Sequence, residues 1–341
     1  MYGYTAHRWD RVLAGAIDLG EYTMPSPRIT FALLCLGGIL TGCNTPGKPG
    51  AFVQIGSTKA GLFGMPAEYR ALHPRLESAL GAQVQFNAQP NGNALGQQLN
   101  LGNIQYAMLT CKEYADLENT SNIKVLAAAV NPLGKTTRKA FIVAKKSDAR
   151  IQGIPDVKDK RFAFGTFGDI LTDKAAKRAL DKGGCPPKDI LFDLFPPPFG
   201  ILGRLYMGND AHKTVSFDAT VNVGVVDEVV FAKLPASGGN FIVGPSQDLL
   251  SKIGETEEIP EWCFVAGPKA DPAITEKLVD FLTTKAKDDT AVCEQLDVKG
   301  FAPTDAAPYE AVRSWLKSMP EEVPAEPNEK QSSVSAAATM Q

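Results

Sequence analysis

A chain of 341 residues, 44% hydrophobic and 21% charged, is long enough to bury more than one core, which predicts two lobes. Its 35 Lys and Arg against 38 Asp and Glu leave a net charge of −3, so the basic surplus on which nucleic-acid binding rests is absent. The uncharged run from Ile29 to Leu40 falls short of the about 20 apolar residues that a membrane-spanning helix needs, which excludes it as a permanent span.

In chain order, residues 1–23 read as an upstream extension, with Met24 as the start of a secretory signal over 24–42. Arg28 precedes the apolar run and the small residues Thr41 and Gly42 follow it, the layout of a cleavable leader. Leu40-Thr41-Gly42-Cys43 resembles the lipobox of bacterial lipoproteins, which implies that the Cys43 thiol receives a diacylglycerol and becomes the new N-terminus. Residues 43–50, rich in Gly, Pro and Asn, continue neither helix nor strand and read as a tether. Loss of 1–42 removes Arg8, Arg11 and Arg28 together with Asp10, Asp18 and Glu21, leaving the charge unchanged. Such a chain is expected outside the cytoplasm, held to a membrane by its lipid alone.

Beyond the tether, runs rich in β-branched and aromatic residues at 51–57, 82–88, 104–109, 123–130, 139–146, 160–166, 221–227, 240–244 and 262–267 read as strands. Helical periodicity lies between them at 66–80, 94–102, 169–184, 271–286 and 305–319. Asp271-Pro272 is an N-cap followed by proline at the first helical position, and Gly183-Gly184 supplies a stop. The alternation predicts an α/β protein with mostly parallel sheets. The tail, 319–341, is rich in Pro, Glu, Ser and Ala and is expected to be disordered.

Ligands of open α/β sheets settle at the carboxyl ends of strands. The residues there are Ser57, Thr58, Thr110, Thr166, Asp169 and Asp227, and Tyr69 in the first helical stretch joins them as a candidate. Each has a plain structural reading beside the ligand-binding one. Asp169 suits a helix N-cap, Asp227 a solvated strand end, and Ser57 and Thr58 a turn. Cys111, Cys185, Cys263 and Cys293 lack the spacing of a zinc site or redox motif; they allow three pairings, and buried free thiols are equally open. No cofactor or metal is implied.

Four segments in order, LHPRLESALGAQVQF, LGNIQYAMLTCKEYADL, KAFIVAKKSDARIQGIPDVKDKRFAFGT and GFAPTDAAPYEAVRSWL, resemble the phosphate/phosphonate-type substrate-binding proteins of ABC transporters. The resemblance implies a two-lobed type II periplasmic binding protein fold with two crossover strands. Lobe 1 is expected at 51–142 and 237–318, and lobe 2 at 143–236. It further implies a monomer that carries a small polar ligand to an ABC permease, and adds Tyr114 and Asp210 to the ligand-binding candidates. Where that family carries a Ser-Thr-Ser cluster for an oxyanion, this chain has Asp169, Ile170 and Leu171. Asp169, Asp210 and Asp227 give the expected cleft an acidic bias that suits an ammonium or similar cation.

Two other functions are open to the same residues. A binding protein with a sensing rather than a transport role fits the same fold. A periplasmic hydrolase is the rival class, but after loss of the leader only His73 and His212 remain, with no Gly-x-Ser-x-Gly elbow and no His-Glu-x-x-His pair, so no enzyme is expected.

Overall fold

The computed structural model describes residues 52–58, 69–118, 120, 122–194, 221, 223–238 and 246–319. The leader, Cys43, the tether, the strand expected at 240–244, Asp210, His212 and the tail from 320 lie outside the described residues.

Leucines four apart, Leu72, Leu76 and Leu80, place one apolar stripe on helix α1 (Leu72–Leu80), and all three are buried. Gly81 ends the helix in the left-handed region at φ +65°, its N–H donating to the Glu77 carbonyl at 2.9 Å. Strand β1 (Phe52–Ser57) pairs in parallel with β2 (Gln83–Ala88), whose Val84 and Phe86 are buried and whose Gln83 and Gln85 face solvent. Helix α2 (Gly92–Leu101) starts at Asn91, which accepts from the Ala94 N–H at 2.9 Å. It leads into β3 (Tyr106–Leu109), the short helix α3 (Cys111–Asp116) and β4 (Lys124–Val130).

The chain then leaves this sheet. After β5 (Thr137–Arg138), strands β6 (Ala140–Lys145), β7 (Arg161–Phe164), β8 (Leu191–Leu194), β9 (Val223–Asp227) and β10 (Leu250–Glu255) build a second sheet in the order β10-β6-β9-β7-β8. It returns through β11 (Ile259–Pro260) to β12 (Cys263–Ala266) and β13 (Gly300–Pro303), completing the first sheet as β13-β4-β12-β3-β1-β2. β5 and β11 pair antiparallel, so the two crossings form one ribbon between the sheets.

The sheets are mixed rather than mostly parallel. β1, β2 and β3 run together, and so do β7, β8 and β9, but the strands next to each crossing, β12 in the first sheet and β6 in the second, run against their neighbours. A strand entering from the ribbon arrives from the end where the others finish, which reverses its direction. The second sheet also takes in β10, which the expected limit at 236/237 places in the first lobe, and all of β6, which the expected limit at 142/143 divides.

The remaining helices are α4 (Ala176–Lys182), continuous with a π-helical turn at Ile170–Ala175, α5 (Glu228–Lys233), α6 (Pro272–Asp280), α7 (Thr290–Leu296) and α8 (Ala307–Ser318). One core cluster fills a face of the first sheet with Val53, Ile55, Leu72, Phe264 and Phe301. The other is continuous from Leu95, Leu109 and Tyr114 to Ile142, Phe162 and Val225, with Tyr309 and Val312 of α8 included. Both sheets therefore share buried apolar contact beside the ribbon.

Candidate functional site

Strand β7 stops at Gly165, where a Cβ would lie 1.9 Å from the Thr172 hydroxyl oxygen, so glycine lets the strand end pack directly on the following helix. Asp169 then caps the π-helical turn. Its Oδ1 accepts from the Leu171 N–H at 3.1 Å, the Thr172 N–H at 2.6 Å and the Thr172 hydroxyl at 2.7 Å. The Asp169 carbonyl accepts from both Asp173 and Lys174, the wider bond making the π turn. Beneath it, fully buried Asp173 accepts from the Gly168 N–H at 2.7 Å and pairs with the buried Lys177 at 2.8 Å.

The ribbon supplies the second part. Arg138 donates through Nε and one terminal nitrogen to the two Glu261 oxygens at 2.8 and 3.0 Å, and through the other to Asp227 at 2.9 Å. Burial works against the Arg138 charge, but Asp227 and Glu261 more than offset it and raise its pKa above the ordinary arginine value. Asp227 also caps α5, accepting from the Val229 N–H at 2.7 Å. Buried Glu261 accepts from Asn131 at 3.0 Å, and its carbonyl accepts from the Tyr309 hydroxyl at 2.8 Å.

Between these parts lies a cavity of about 390 Å³. Its apolar wall is Ile170, Leu171, Val225, Val226, Val230, Ile259 and Pro260; its polar groups include Thr110, Asp169, Arg138, Asp227 and Glu261, and Trp262 also lines it. Cys111 also lines it, with burial pushing its thiol up to about 12, so it is present as a neutral group. A second cavity, about 170 Å³, shares Thr110 and Trp262 with the first and is bounded by Ser57, Thr58, Tyr69, Glu113, Gln295 and Asp297. Ser57 and Tyr69 hydroxyls lie 3.2 Å apart, and Thr58 donates to Glu113. Glu113 closes a capping box at the start of α3, accepting from the Thr110 N–H at 2.6 Å while the Thr110 hydroxyl accepts from the Glu113 N–H at 3.2 Å.

Of the residues expected from the sequence, Thr110, Asp169 and Asp227 line the larger cavity, and Ser57, Thr58, Tyr69 and Thr110 the smaller. Tyr114 lines neither. The turn of α3 carries it to full burial, where its hydroxyl donates to Glu310 at 2.9 Å and its ring meets Tyr309 at 5.3 Å. Thr166 is exposed in the turn after β7, contributing a carbonyl to the Asp169 N–H, and lines neither cavity. Asp210 is outside the described residues. Sequence reasoning passed over Arg138, Glu261, Trp262 and Glu113. The Thr110-Cys111-Lys112-Glu113 spacing is a capping-box signature that points to Glu113. Arg138 ends the two-residue strand β5 and Glu261 directly follows the two-residue strand β11, and strands that short leave no periodicity for the strand-end rule to use. Among the described residues no cluster of His, Cys, Asp and Glu fits a metal ion, all four cysteines are free, and no helix is long and apolar enough to cross a membrane.

None of the curated proteins matches the chain in sequence. Solved structures share its fold. XAC2383 from Xanthomonas citri bound to ATP is similar at 13% identity and a TM-score of 0.55, over 79% of this chain and 98% of that one. PhnD1 from Prochlorococcus marinus in complex with methylphosphonate is similar at 14% identity and 0.53, over 79% and 99%. A binding protein component of an ABC phosphonate transporter from Pseudomonas aeruginosa is similar at 15% identity and 0.51, over 85% and 95%. With sheets crossed by a two-strand ribbon, this is the two-lobed type II periplasmic binding architecture. The family described as ABC transporter, phosphonate, periplasmic substrate-binding protein matches residues 64–309. The chain therefore belongs to that family, the extracytoplasmic, non-enzymatic components that bind a small polar ligand and work with an ABC permease.

Proposed function

We propose that this protein is a lipid-anchored, monomeric importer component whose cleft takes a solute bearing a cationic group, contacted by Thr110, Asp169 and Asp227. The observation that carries this reading is the Asp169 carboxylate on the Leu171 and Thr172 N–H groups. A helix start at a cavity wall is where an anionic ligand is ordinarily held. Here the chain's own carboxylate takes the donors and brings a negative charge to the same place. Among the described residues, three carboxylates and one cation, Arg138, line the larger cavity. An aromatic residue, Trp262, among its lining residues adds to its suitability for an ammonium.

A second reading, a phosphonate or phosphate ligand, is favoured by the family match. A thermal-shift panel of phosphate, alkylphosphonates, aminophosphonates and cationic metabolites separates the two. A true ligand at 100 times its Kd stabilises by about 2.7 kcal/mol. Cationic solutes are expected to do so, and stabilisation by methylphosphonate without any by amines reverses the assignment. The lipid anchor rests on Leu40-Thr41-Gly42-Cys43, which lies outside the described residues. In a bacterial host, Cys43→Ser is expected to move the protein out of the membrane fraction, and an unchanged distribution removes the anchor from the reading.

A further inference from the structure

The Arg138 guanidinium meets two carboxylates that belong to different lobes. Glu261 is tied to the first: its side chain accepts from Asn131, the residue directly after β4, at 3.0 Å, and its carbonyl accepts from the Tyr309 hydroxyl of α8 at 2.8 Å. Asp227 belongs to the second, as the last residue of β9 and the cap of α5. Arg138 holds Glu261 by two bonds, at 2.8 and 3.0 Å, and Asp227 by one, at 2.9 Å. A second cation repeats the arrangement at the next residue of α5. Lys135 is fixed to the first lobe by Asn131, whose Oδ1 accepts the Lys135 N–H at 3.1 Å and whose own N–H donates to the Lys135 carbonyl at 2.8 Å. Its Nζ pairs at 3.0 Å with the buried carboxylate of Glu228, the first residue of α5.

We propose that Arg138 is a positioning residue for solute binding: with Lys135 it clasps the start of α5 and so holds the second lobe against the first across the larger cavity. Closure of a two-lobed protein turns on a few residues at element ends. Here the Asp227-Glu228 pair at the strand-to-helix turn is gripped by two cations whose other attachments are to the first lobe. Asp227 lines the cavity, so the clasp also fixes where that carboxylate stands. The fork of a guanidinium is what allows one side chain to serve both lobes at once. A lysine carries the same charge as a single point donor, which serves Glu261 or Asp227 and not both. The clasp acts on the lobes whatever the charge of the solute, and therefore stands apart from the choice between a cationic and a phosphonate ligand.

The test is small-angle X-ray scattering of the full chain without added solute, with melting curves verifying that each variant is folded. Arg138→Gln and Arg138→Lys are both expected to move the open-to-closed ratio about tenfold toward the open form, read as a larger radius of gyration than that of the wild type. Lys135→Met, at a residue that is not among those lining either cavity, is expected to move it the same way by no more than about fivefold. Radii equal to that of the wild type in all three overturn the clasp. A compact Arg138→Lys beside an open Arg138→Gln reduces Arg138 to charge balance for Glu261 and overturns the bridging role. Loss of Arg138 leaves buried Glu261 without its cation. If that prevents folding, Lys135→Met decides alone, and an unchanged radius there overturns the proposal.

Discussion

Asp169 holds three donors through one oxygen, and its cost and benefit are both local. Replacing it with alanine removes an N-cap and is expected to destabilise the protein by about 0.5–2 kcal/mol. The same change uncovers the Leu171 and Thr172 N–H groups at the cavity wall and removes a negative charge. Methylphosphonate is therefore expected to raise the melting temperature of Asp169→Ala while leaving the wild type unmoved, and a wild type stabilised as much as the variant contradicts the blocking role. The bland reading of Asp169 as a cap and the sharp one as a ligand contact are compatible, because capping occupies only one of its oxygens. Tyr114 illustrates the opposite outcome. A tyrosine after a strand suits a cleft wall, but α3 begins at Cys111, and three residues into a helix the side chain turns back onto the core.

At the scale of elements, α8 fastens the end of α3 to the core. Arg313 donates to the Leu117 carbonyl at 2.5 Å and the Thr120 hydroxyl at 2.7 Å, and Glu310 accepts from Tyr114 at 2.9 Å and Thr120 at 2.7 Å. Burial raises the Glu310 pKa, but the Thr120 and Tyr114 hydroxyls and Arg313 outweigh it and hold the group below its ordinary 4.5. A carboxylate with a depressed folded-state pKa contributes stability that is present above 4.5 and is lost as pH falls through the lower, folded value. The stability gap between the wild type and Glu310→Gln, measured by denaturant unfolding, is therefore expected to be constant near neutral pH and to shrink below 4.5. A gap that widens on acidification reverses the sign. The long helices and most strands were legible because a run such as Leu72, Leu76 and Leu80 repeats its period several times. The two-residue strands β5 and β11 and the six- and seven-residue helices α3, α5 and α7 contain too little of either period to register. β10 escaped as well, since only Leu250 of its six residues is buried and an edge strand has no continuous apolar face.

Across the whole molecule, the ribbon joins two sheets that meet again at their rims. Lys233 at the end of α5 pairs with Asp297 beyond α7, and the Arg178 guanidinium of α4 lies 5.2 Å from the Trp315 ring of α8. Asp297 also bounds the smaller cavity and sits in the left-handed region at φ +52°, so this contact joins the second lobe to the wall of the site. Lys233 and Asp297 are both more than half exposed, which limits such a pair to at most about 1 kcal/mol. Lys233→Ala is accordingly expected to weaken solute binding by no more than about fivefold while leaving the melting temperature of the ligand-free protein nearly unchanged. A fall in that melting temperature with unaltered affinity makes the pair a stability contact instead.

The sequence by itself determined the alternation of strand and helix, the family, and the strand-end positions Ser57, Thr58, Thr110, Asp169 and Asp227, because these follow from local periodicity and from residue types that recur at fixed chain positions. Only the tertiary structure decided that Arg138, Asp227 and Glu261 form one charge cluster, that Trp262 stands between two cavities, and that Tyr114 is buried. Arg138 and Glu261 are 123 residues apart in the chain, and no local pattern encodes their meeting. It is fixed by the pairing of β5 with β11, one segment from each of the two crossings between the sheets.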